Sequence, residues 1–457
     1  MTSRLAAGFT DINHALYDFK QIAGNQIMRE PVNADRVFLF LQGPHGPFFY
    51  KLGKMLEQAG AAVWRVGFNA GDRAFWPAAA SYIPYQDNIN DWSNTLLNIV
   101  TDKRVTDLVL YGDTRRIHAD AIKIAHQHDL RIHVFEEGYM RPYWVTYERG
   151  GSNGNSRLMD MTIAQMRDTL EQSDIDSPIP PASWGDMRQH VFYGAVYHGV
   201  VLLLNRHYKN FLPHRSLSIS EEFRLHFKRL LFMPHHSIQR RIATLRIKRG
   251  SFPYHLVLLQ LEHDASFQAH SPFSTITEFL ETVIEGFAKG VPTHHHLIIK
   301  AHPLEDGRSS FVKELKRIAQ THAVTGRIHY IRGGKLAALL DQARSAVTVN
   351  STAAQQVLWR GIPLKTFGDA VYAKPEFVST QTLPDFFKEP NRPDRRAYID
   401  YRQYLLETSQ VAGGFYSTKG RRQLLRQAVD MMLAGNDPYD AIRSGTASPR
   451  QQLNISA

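Results

Sequence analysis

Two adjacent carboxylates, Glu136 and Glu137, precede Gly138 directly after the apolar run Ile132 to Phe135. A crowded or desolvated carboxylate has a raised pKa and can move a proton near neutrality. The plain alternative is a solvated turn ahead of a helix. Against it, the next stretch, Tyr139-Met140-Arg141-Pro142-Tyr143-Trp144, is unusually aromatic for such a turn. Farther on, Lys300-Ala301-His302-Pro303 follows another apolar run. An imidazole there can bond a phosphate oxygen and, when protonated, offset leaving-group charge. The chain has 22 histidines, so the position says more than the residue type. Asn350-Ser351-Thr352 lies between a strand pattern and a helix pattern. Hydroxyls and unpaired N–H groups at a helix start suit a phosphate, or form an ordinary cap, and the two roles are compatible. Asp264, in His263-Asp264-Ala265-Ser266, reads as a nucleophile or as another cap. His294-His295-His296 is not read as a metal site, because successive residues entering a strand point to opposite faces. HExxH, P-loop and GxGxxG patterns do not occur.

These residues need elements to position them. Val37 to Gln42 is a compact apolar run, followed by Gly43-Pro44-His45-Gly46-Pro47 and a helical spacing of Leu52, Met55, Leu56 and Ala59. Further strands are expected at Ala62 to Val66, Leu108 to Tyr111 and Ile132 to Phe135, with a helix at Ala119 to His128. Apolar runs separated by such helices predict a parallel sheet covered on both faces. A second alternation starts near Pro253. Strands are expected at His255 to Leu261, His296 to Lys300, Ile328 to Ile331, Ala346 to Val349 and Pro363 to Phe367. Helices are expected at Thr277 to Lys289, Ser309 to Thr321, Lys335 to Ala343 and Ala353 to Trp359, with a helical stretch from Arg395 to Leu433. The expected division is a leader at 1–35, a first Rossmann-like lobe at 36–195, a basic interlobe segment at 196–252, a second lobe at 253–390, and C-terminal helices with a polar tail at 391–457. Ligands of open parallel sheets bind beyond the carboxyl ends of the strands, where the polar motifs cluster.

The 457 residues carry a net charge of +11 and no cysteine, which excludes disulfides, thiolate metal sites and cysteine nucleophiles. A basic balance suits nucleic acid, an anionic membrane or an anionic substrate. No tract reaches the roughly 20 apolar residues of a membrane span. The run Val196 to Leu204 is too short and contains His198. Met1 to Thr10 lacks a charged start followed by an apolar run, so a cleaved signal is not expected. Arg224, Lys228, Arg229, Arg240, Arg241, Arg246, Lys248 and Arg249 interleave with Phe223, Phe227, Leu230 and Leu231. That pattern fits an amphipathic helix on an anionic membrane or a solvated basic face. Nucleic acid is set aside, because no RNA- or DNA-binding signature accompanies the charge.

An acidic pair plus glycine, then His-Pro, then a Ser/Thr pair is the motif order of CMP-sugar transferases. Longer strings resemble the capsule polysaccharide biosynthesis/export proteins of the KpsS type. They are Leu41-Gln42-Gly43-Pro44, Tyr111 to His118, Phe135 to Pro142, Gly151 to Ser156, and Gly368 to Tyr372. The resemblance covers about residues 36 to 380 and implies an α/β, GT-B-like fold of two Rossmann-like lobes around a cleft. It implies a retaining β-Kdo transferase, with CMP-Kdo as donor and a lysophosphatidylglycerol-type lipid as acceptor, working without a metal or cofactor. Asp264 would be the nucleophile, Glu137 or else Glu136 the acid/base, and His302 the group that stabilises departing CMP. Lys300, His302, Pro303, Asn350, Ser351 and Thr352 would hold the donor. Gln42, Gly43, Asp113, Arg116 and Arg141 would line the acceptor side of the cleft. A cytoplasmic protein at the inner membrane's anionic surface, working beside other capsule assembly proteins, is the implied setting. An inverting CMP-sialic-acid transferase and a non-catalytic export protein are the alternatives.

Overall fold

The computed structural model describes residues 34–141, 143–171, 186–210, 221, 224, 238–239, 241–247, 249–302, 311–332 and 335–445. The first lobe is built on a seven-stranded sheet. Its strands are β1 (Val37–Phe40), β2 (Ala62–Gly67), β3 (Tyr82–Pro84), β4 (Asp107–Tyr111), β5 (Arg131–Glu137), β6 (Trp144–Arg149) and β12 (Gln410–Ala412), in the order β12-β6-β5-β4-β1-β2-β3. The strands from β5 to β3 are parallel, and β6 and β12 are antiparallel. β4 reads Asp-Leu-Val-Leu-Tyr because both faces are covered: Leu108 and Leu110 belong to one apolar cluster and Val109 to the other.

The second lobe has five parallel strands, β7 (Tyr254–Leu258), β8 (His296–Lys300), β9 (Ile328–Ile331), β10 (Ala343–Thr348) and β11 (Leu364–Thr366), in the order β11-β10-β7-β8-β9. Its helix Ile276–Gly290 starts at Thr275, whose hydroxyl accepts from the Glu278 amide, while the Glu278 carboxylate accepts from Ser274 N. This reciprocal cap fixes where the helix begins. The chain is thus α/β with two Rossmann-like lobes in a GT-B-like arrangement. In each sheet the order reverses beside the first strand, between β1 and β4 and between β7 and β10. Those are the switch points where such sheets open a crevice.

Four expectations change. Glu136 and Glu137 do not follow β5 but end it, and the chain returns as β6 with Glu136 opposite Thr146 and Glu137 opposite Val145. The run expected as helix from Arg395 to Leu433 is broken. Helix Arg395–Thr408 gives way to β12, then to helix Thr418–Leu433. The strand pairing is worth more than continued helix, because Val411 and Phe415 bury in the first lobe's core. The C-terminal segment therefore belongs partly to the first lobe and is more than terminal helices and a tail. Finally, only Ala337–Leu340 is helical within the expected helix Lys335 to Ala343, and β10 starts at Ala343. Ser345 is drawn into that strand and lies 2.8 Å from Nδ1 of buried His255.

One apolar cluster joins the lobes. Tyr139, Trp144 and Leu158 pack with Leu256, Ile298, Tyr372 and the Tyr398, Tyr401 and Tyr404 stripe of helix Arg395–Thr408. Spacings of three residues put those tyrosines on one helix face.

Candidate active site

The carboxyl ends of both sheets face a shared cleft. From the first lobe, Glu136 and Glu137 end β5 side by side, and alternation along a strand sends their side chains different ways. Glu137 Oε1 accepts from Tyr111 at 3.1 Å and from Tyr416 at 3.2 Å. Glu136 Oε1 accepts from Glu137 N at 2.9 Å, and its other oxygen lies against Gly112, where a Cβ would stand 2.9 Å from it. Desolvation raises the Glu136 pKa to about 7, with Glu137 and Asp264 adding to the rise and Arg141 opposing it. For Arg141, desolvation disfavours the charge, but Glu137, Glu136 and Asp264 outweigh it and the guanidinium pKa rises. Asp264 therefore reaches this group electrostatically from the opposite lobe. It occupies the cap position of helix Ala265–His270, is exposed, and makes no capping hydrogen bond.

The remaining residues expected on the donor side divide. Asn350 is buried and occupied: its Oδ1 accepts from Gln260 at 2.6 Å, and its Nδ2 donates to the carbonyls of Ser266 and His270. It fastens helix Ala265–His270, and with it Asp264, to the end of β10. Ser351 Oγ accepts from Ala353 N at 3.3 Å, as a cap would. The helix it precedes, Ala354–Trp359, has six residues, so little dipole field stands behind it. Thr352 and Asn350 line a crevice of about 260 Å³, continuous with solvent, together with Tyr139, Asn153, Ser266, Gln355, Asp369 and Tyr372. Lys300 and His302 lie outside that lining, at the end of β8, one strand beyond the switch point. Burial lowers the Lys300 pKa to about 8. His302 is half-buried, and Pro303 lies outside the described residues.

Of the residues expected on the acceptor side, Gln42 is buried. It donates toward Asp72 and Tyr197 and accepts from Arg115 at 3.3 Å. Gly43 passes so close to Phe49 that a Cβ would stand 2.4 Å from the ring. Asp113 is buried, and its Oδ2 accepts from Ser152 N at 2.7 Å and Asn155 Nδ2 at 3.1 Å. It thereby ties down the Gly151–Ser156 loop, whose Asn153 reaches the crevice. Arg116 departs from the expected place. It turns to Asn90 at 2.7 Å on the outer surface, and its neighbour Arg115 takes the inward position.

The histidine run is spent within the second lobe. His295 Nδ1 lies 3.1 Å from His255 Nε2, and His296 Nδ1 lies 2.8 Å from His329 Nε2. Of the basic segment, Phe223, Phe227, Lys228, Arg229, Leu230, Leu231, Arg240 and Lys248 lie outside the described residues. Sequence reasoning missed Tyr111, Tyr416, Asn153 and Asp369 as parts of the site. The aromatic, β-branched stretch Trp144-Val145-Thr146-Tyr147 was the signal for β6. Nothing local in the sequence marks Tyr416 as a partner of Glu137.

Two α/β lobes meeting at a polar crevice lined from both sides define a GT-B-like protein. The chain belongs to the family described as capsule polysaccharide biosynthesis protein, whose model matches residues 106–416. It is 30% identical over 387 residues to the capsule polysaccharide modification protein LipB of Neisseria meningitidis serogroup A, covering 83% of this chain and 91% of that one. It is 27% identical to the capsule polysaccharide export protein KpsS of Escherichia coli, covering 83% of this chain and 96% of that one. Among solved structures it aligns with the β-Kdo 2,7 transferase KpsC of Thermosulfurimonas dismutans at a TM-score of 0.40 and 13% identity, covering 92% of this chain and all of that one, 100%.

Proposed function

We propose that the cleft transfers Kdo from CMP-Kdo to a lysophosphatidylglycerol-type lipid with retention of configuration. The observation that supports this reading is the close approach of Gly154, from the first lobe, to His270, on the second-lobe helix that starts at Asp264, which brings carboxylates of both lobes to one cleft where Glu136, Arg141 and Asp264 interact electrostatically. Two carboxylates in one cleft suit double displacement, as in retaining glycosidases.

In the first step an Asp264 oxygen attacks the anomeric carbon. The bond from that carbon to the CMP phosphate oxygen breaks, and CMP leaves with the electron pair. Lys300, His302, Ser351 and Thr352 offset the phosphate charge. In the second step the acceptor hydroxyl displaces the Asp264 carboxylate while a carboxylate takes its proton. We assign that proton to Glu136 rather than Glu137. Glu137 is held by two phenols, whereas Glu136 has a pKa of about 7, suited to a base at neutral pH. Arg141 keeps the anionic cluster compensated. The setting is cytoplasmic, at the inner membrane, where the lipid acceptor and other capsule assembly proteins are found.

The test incubates the chain with CMP-Kdo and the lysolipid, with product mass and anomeric configuration read by mass spectrometry and NMR. Asp264→Ala abolishes transfer. Glu136→Gln accumulates a protein–sugar adduct in the intact mass. Normal turnover by Asp264→Ala, or an inverted product without adduct, would replace this mechanism by the single displacement of an inverting CMP-sugar transferase. Absence of both transfer and donor hydrolysis would leave the export-protein alternative.

A further inference from the structure

Helix Asp186–Leu204 has an inward and an outward side, and both are apolar. The inward side is Tyr193, Tyr197 and Val201, spaced by four. Tyr197 stacks on His45 at 4.3 Å and hydrogen-bonds Asn69 at 2.7 Å, so the helix is fastened to the loops after β1 and β2. The outward side carries Phe192, 60% exposed, and Leu203, 79% exposed, with Val191, Val196 and Leu202 also open, while Leu204 is exposed because it ends the helix. A stripe of this size on a solvent face calls for an occupant.

The surrounding charge identifies one. Exposed Arg188 stands near the start of the helix, and exposed Arg206 and Lys209 stand just past its end. No Asp or Glu occurs from Met187 to Ser220. Among the described residues no helix is long and apolar enough to cross a membrane. A fastened helix with an exposed apolar face, Arg188 beside its first residue Asp186 and a cationic C-terminal end has the features of an element lying in a bilayer interface. A second stretch repeats the pattern: Ile238, Ile242 and Leu245 are exposed at helical spacing, with Arg241, Arg246 and Arg249 beside them. The helix also adjoins the site, since His190 stacks on Tyr416 at 4.2 Å, and Tyr416 donates to Glu137.

We infer that the outward face of helix Asp186–Leu204 docks on an anionic phospholipid surface, with Phe192 and Leu203 entering the acyl boundary and Arg188, Arg206 and Lys209 meeting lipid phosphates. This deepens the lipid-acceptor reading by assigning the surface that meets the lipid phase.

The test sediments the full chain with phosphatidylcholine vesicles, with and without roughly one third phosphatidylglycerol. Phosphatidylglycerol vesicles bind the chain, phosphatidylcholine vesicles bind it at least tenfold less, and added salt weakens binding. Phe192→Ser combined with Leu203→Ser lowers binding at least tenfold, as does Arg206→Ser combined with Lys209→Ser. Unchanged binding by both double variants, or none by the parent, overturns the assignment. Two further readings cover the rival occupants. Loss of a dimer in sedimentation velocity on Phe192→Ser would give the face to a second copy. A large fall in melting temperature would give it to another segment of the chain. Either result overturns the proposal. Turnover of CMP-Kdo on a short-chain lysolipid is measured alongside. Turnover without vesicle binding sinks the docking surface alone, and vesicle binding without turnover sinks the transferase reading alone.

Discussion

The Tyr416 hydroxyl donates to Glu137 at 3.2 Å across 279 residues of chain. Tyr111 donates to the same oxygen from β4 at 3.1 Å. Two phenols on one carboxylate hold it in place. The adjacent Glu136 is the group that burial brings to a pKa of about 7. Glu136→Gln is expected to lower transfer by roughly 100- to 10,000-fold, the usual range for a lost general base. The base form grows as pH rises, so the parent's transfer rate should climb through about pH 7 and then level. A pH–rate profile from 5.5 to 9 checks this. A Glu136→Gln variant with parental rates would return the base role to Glu137.

Tyr416→Phe removes one of the two donors to Glu137. A hydrogen bond to a carboxylate contributes about 1.5–3 kcal/mol, which corresponds to roughly 10- to 100-fold in rate if it orients the site. The loss should fall on turnover more than on the Michaelis constant for the donor. Tyr111→Phe should act in the same direction, and the pair should be non-additive because they share one oxygen. Steady-state kinetics of the two single variants and the double variant supply the cycle.

The sequence carried the parallel lobes, because β1, β4, β7 and β8 are buried on both faces and read as predominantly apolar runs. It also carried the positions of the polar motifs, because such strands end at loops that must be polar. It did not carry β12, a three-residue edge strand whose pairing is decided by a hairpin 264 residues away, where Gln410 donates to Thr146 at 3.1 Å. The division of labour between Glu136 and Glu137 was also hidden. Neighbouring carboxylates look alike in sequence, and only the folded chain brings Tyr111 and Tyr416 to Glu137 and burial to Glu136. Arg115 and Arg116 were confusable for the same reason: one residue of helix phase decides which faces Gln42.

Glu148, in β6, accepts hydroxyls from Tyr139 at 2.6 Å and Tyr439 at 2.9 Å, and a third from Ser156. Burial still raises its pKa from 4.5 to about 7. A carboxyl whose folded pKa is raised binds its proton more tightly when folded, so its contribution is full below about 4.5 and is lost as pH rises through about 7. The swing is on the order of 3 kcal/mol. Glu148→Gln should flatten the fall of melting temperature between pH 4.5 and 7.5, leaving the share due to Glu136. An unaltered slope in thermal scans would remove Glu148 from the account.

Gly154 brings the first lobe against the second. A Cβ there would stand 2.3 Å from the His270 ring, on the helix that carries Asp264. Gly154→Ala must displace the His270 ring at the end of that helix, at a cost of about 1–3 kcal/mol, as for other overpacked contacts. Transfer should fall as Asp264 shifts from Glu136. Adding His270→Ala makes room for the methyl, so the double variant should recover activity relative to Gly154→Ala. Additive losses would mean that the contact does not set the cleft.

Lys300 gives a prediction about the donor phosphate. It ends β8, is 7% exposed, and burial lowers its pKa to about 8. Below that pH it is cationic and can pair with the CMP phosphate. Above it, the lysine must first take up a proton, so affinity for CMP should fall by about tenfold per pH unit. Cytidine, which lacks the phosphate, should bind with no such slope. Lys300→Met should weaken CMP at pH 7 and abolish the slope while leaving cytidine unchanged. Titration calorimetry of both ligands at pH 7, 8 and 9 reads all of these. Equal pH profiles for CMP and cytidine would move the phosphate away from β8, to the Ser351 and Thr352 hydroxyls at the other side of the switch point.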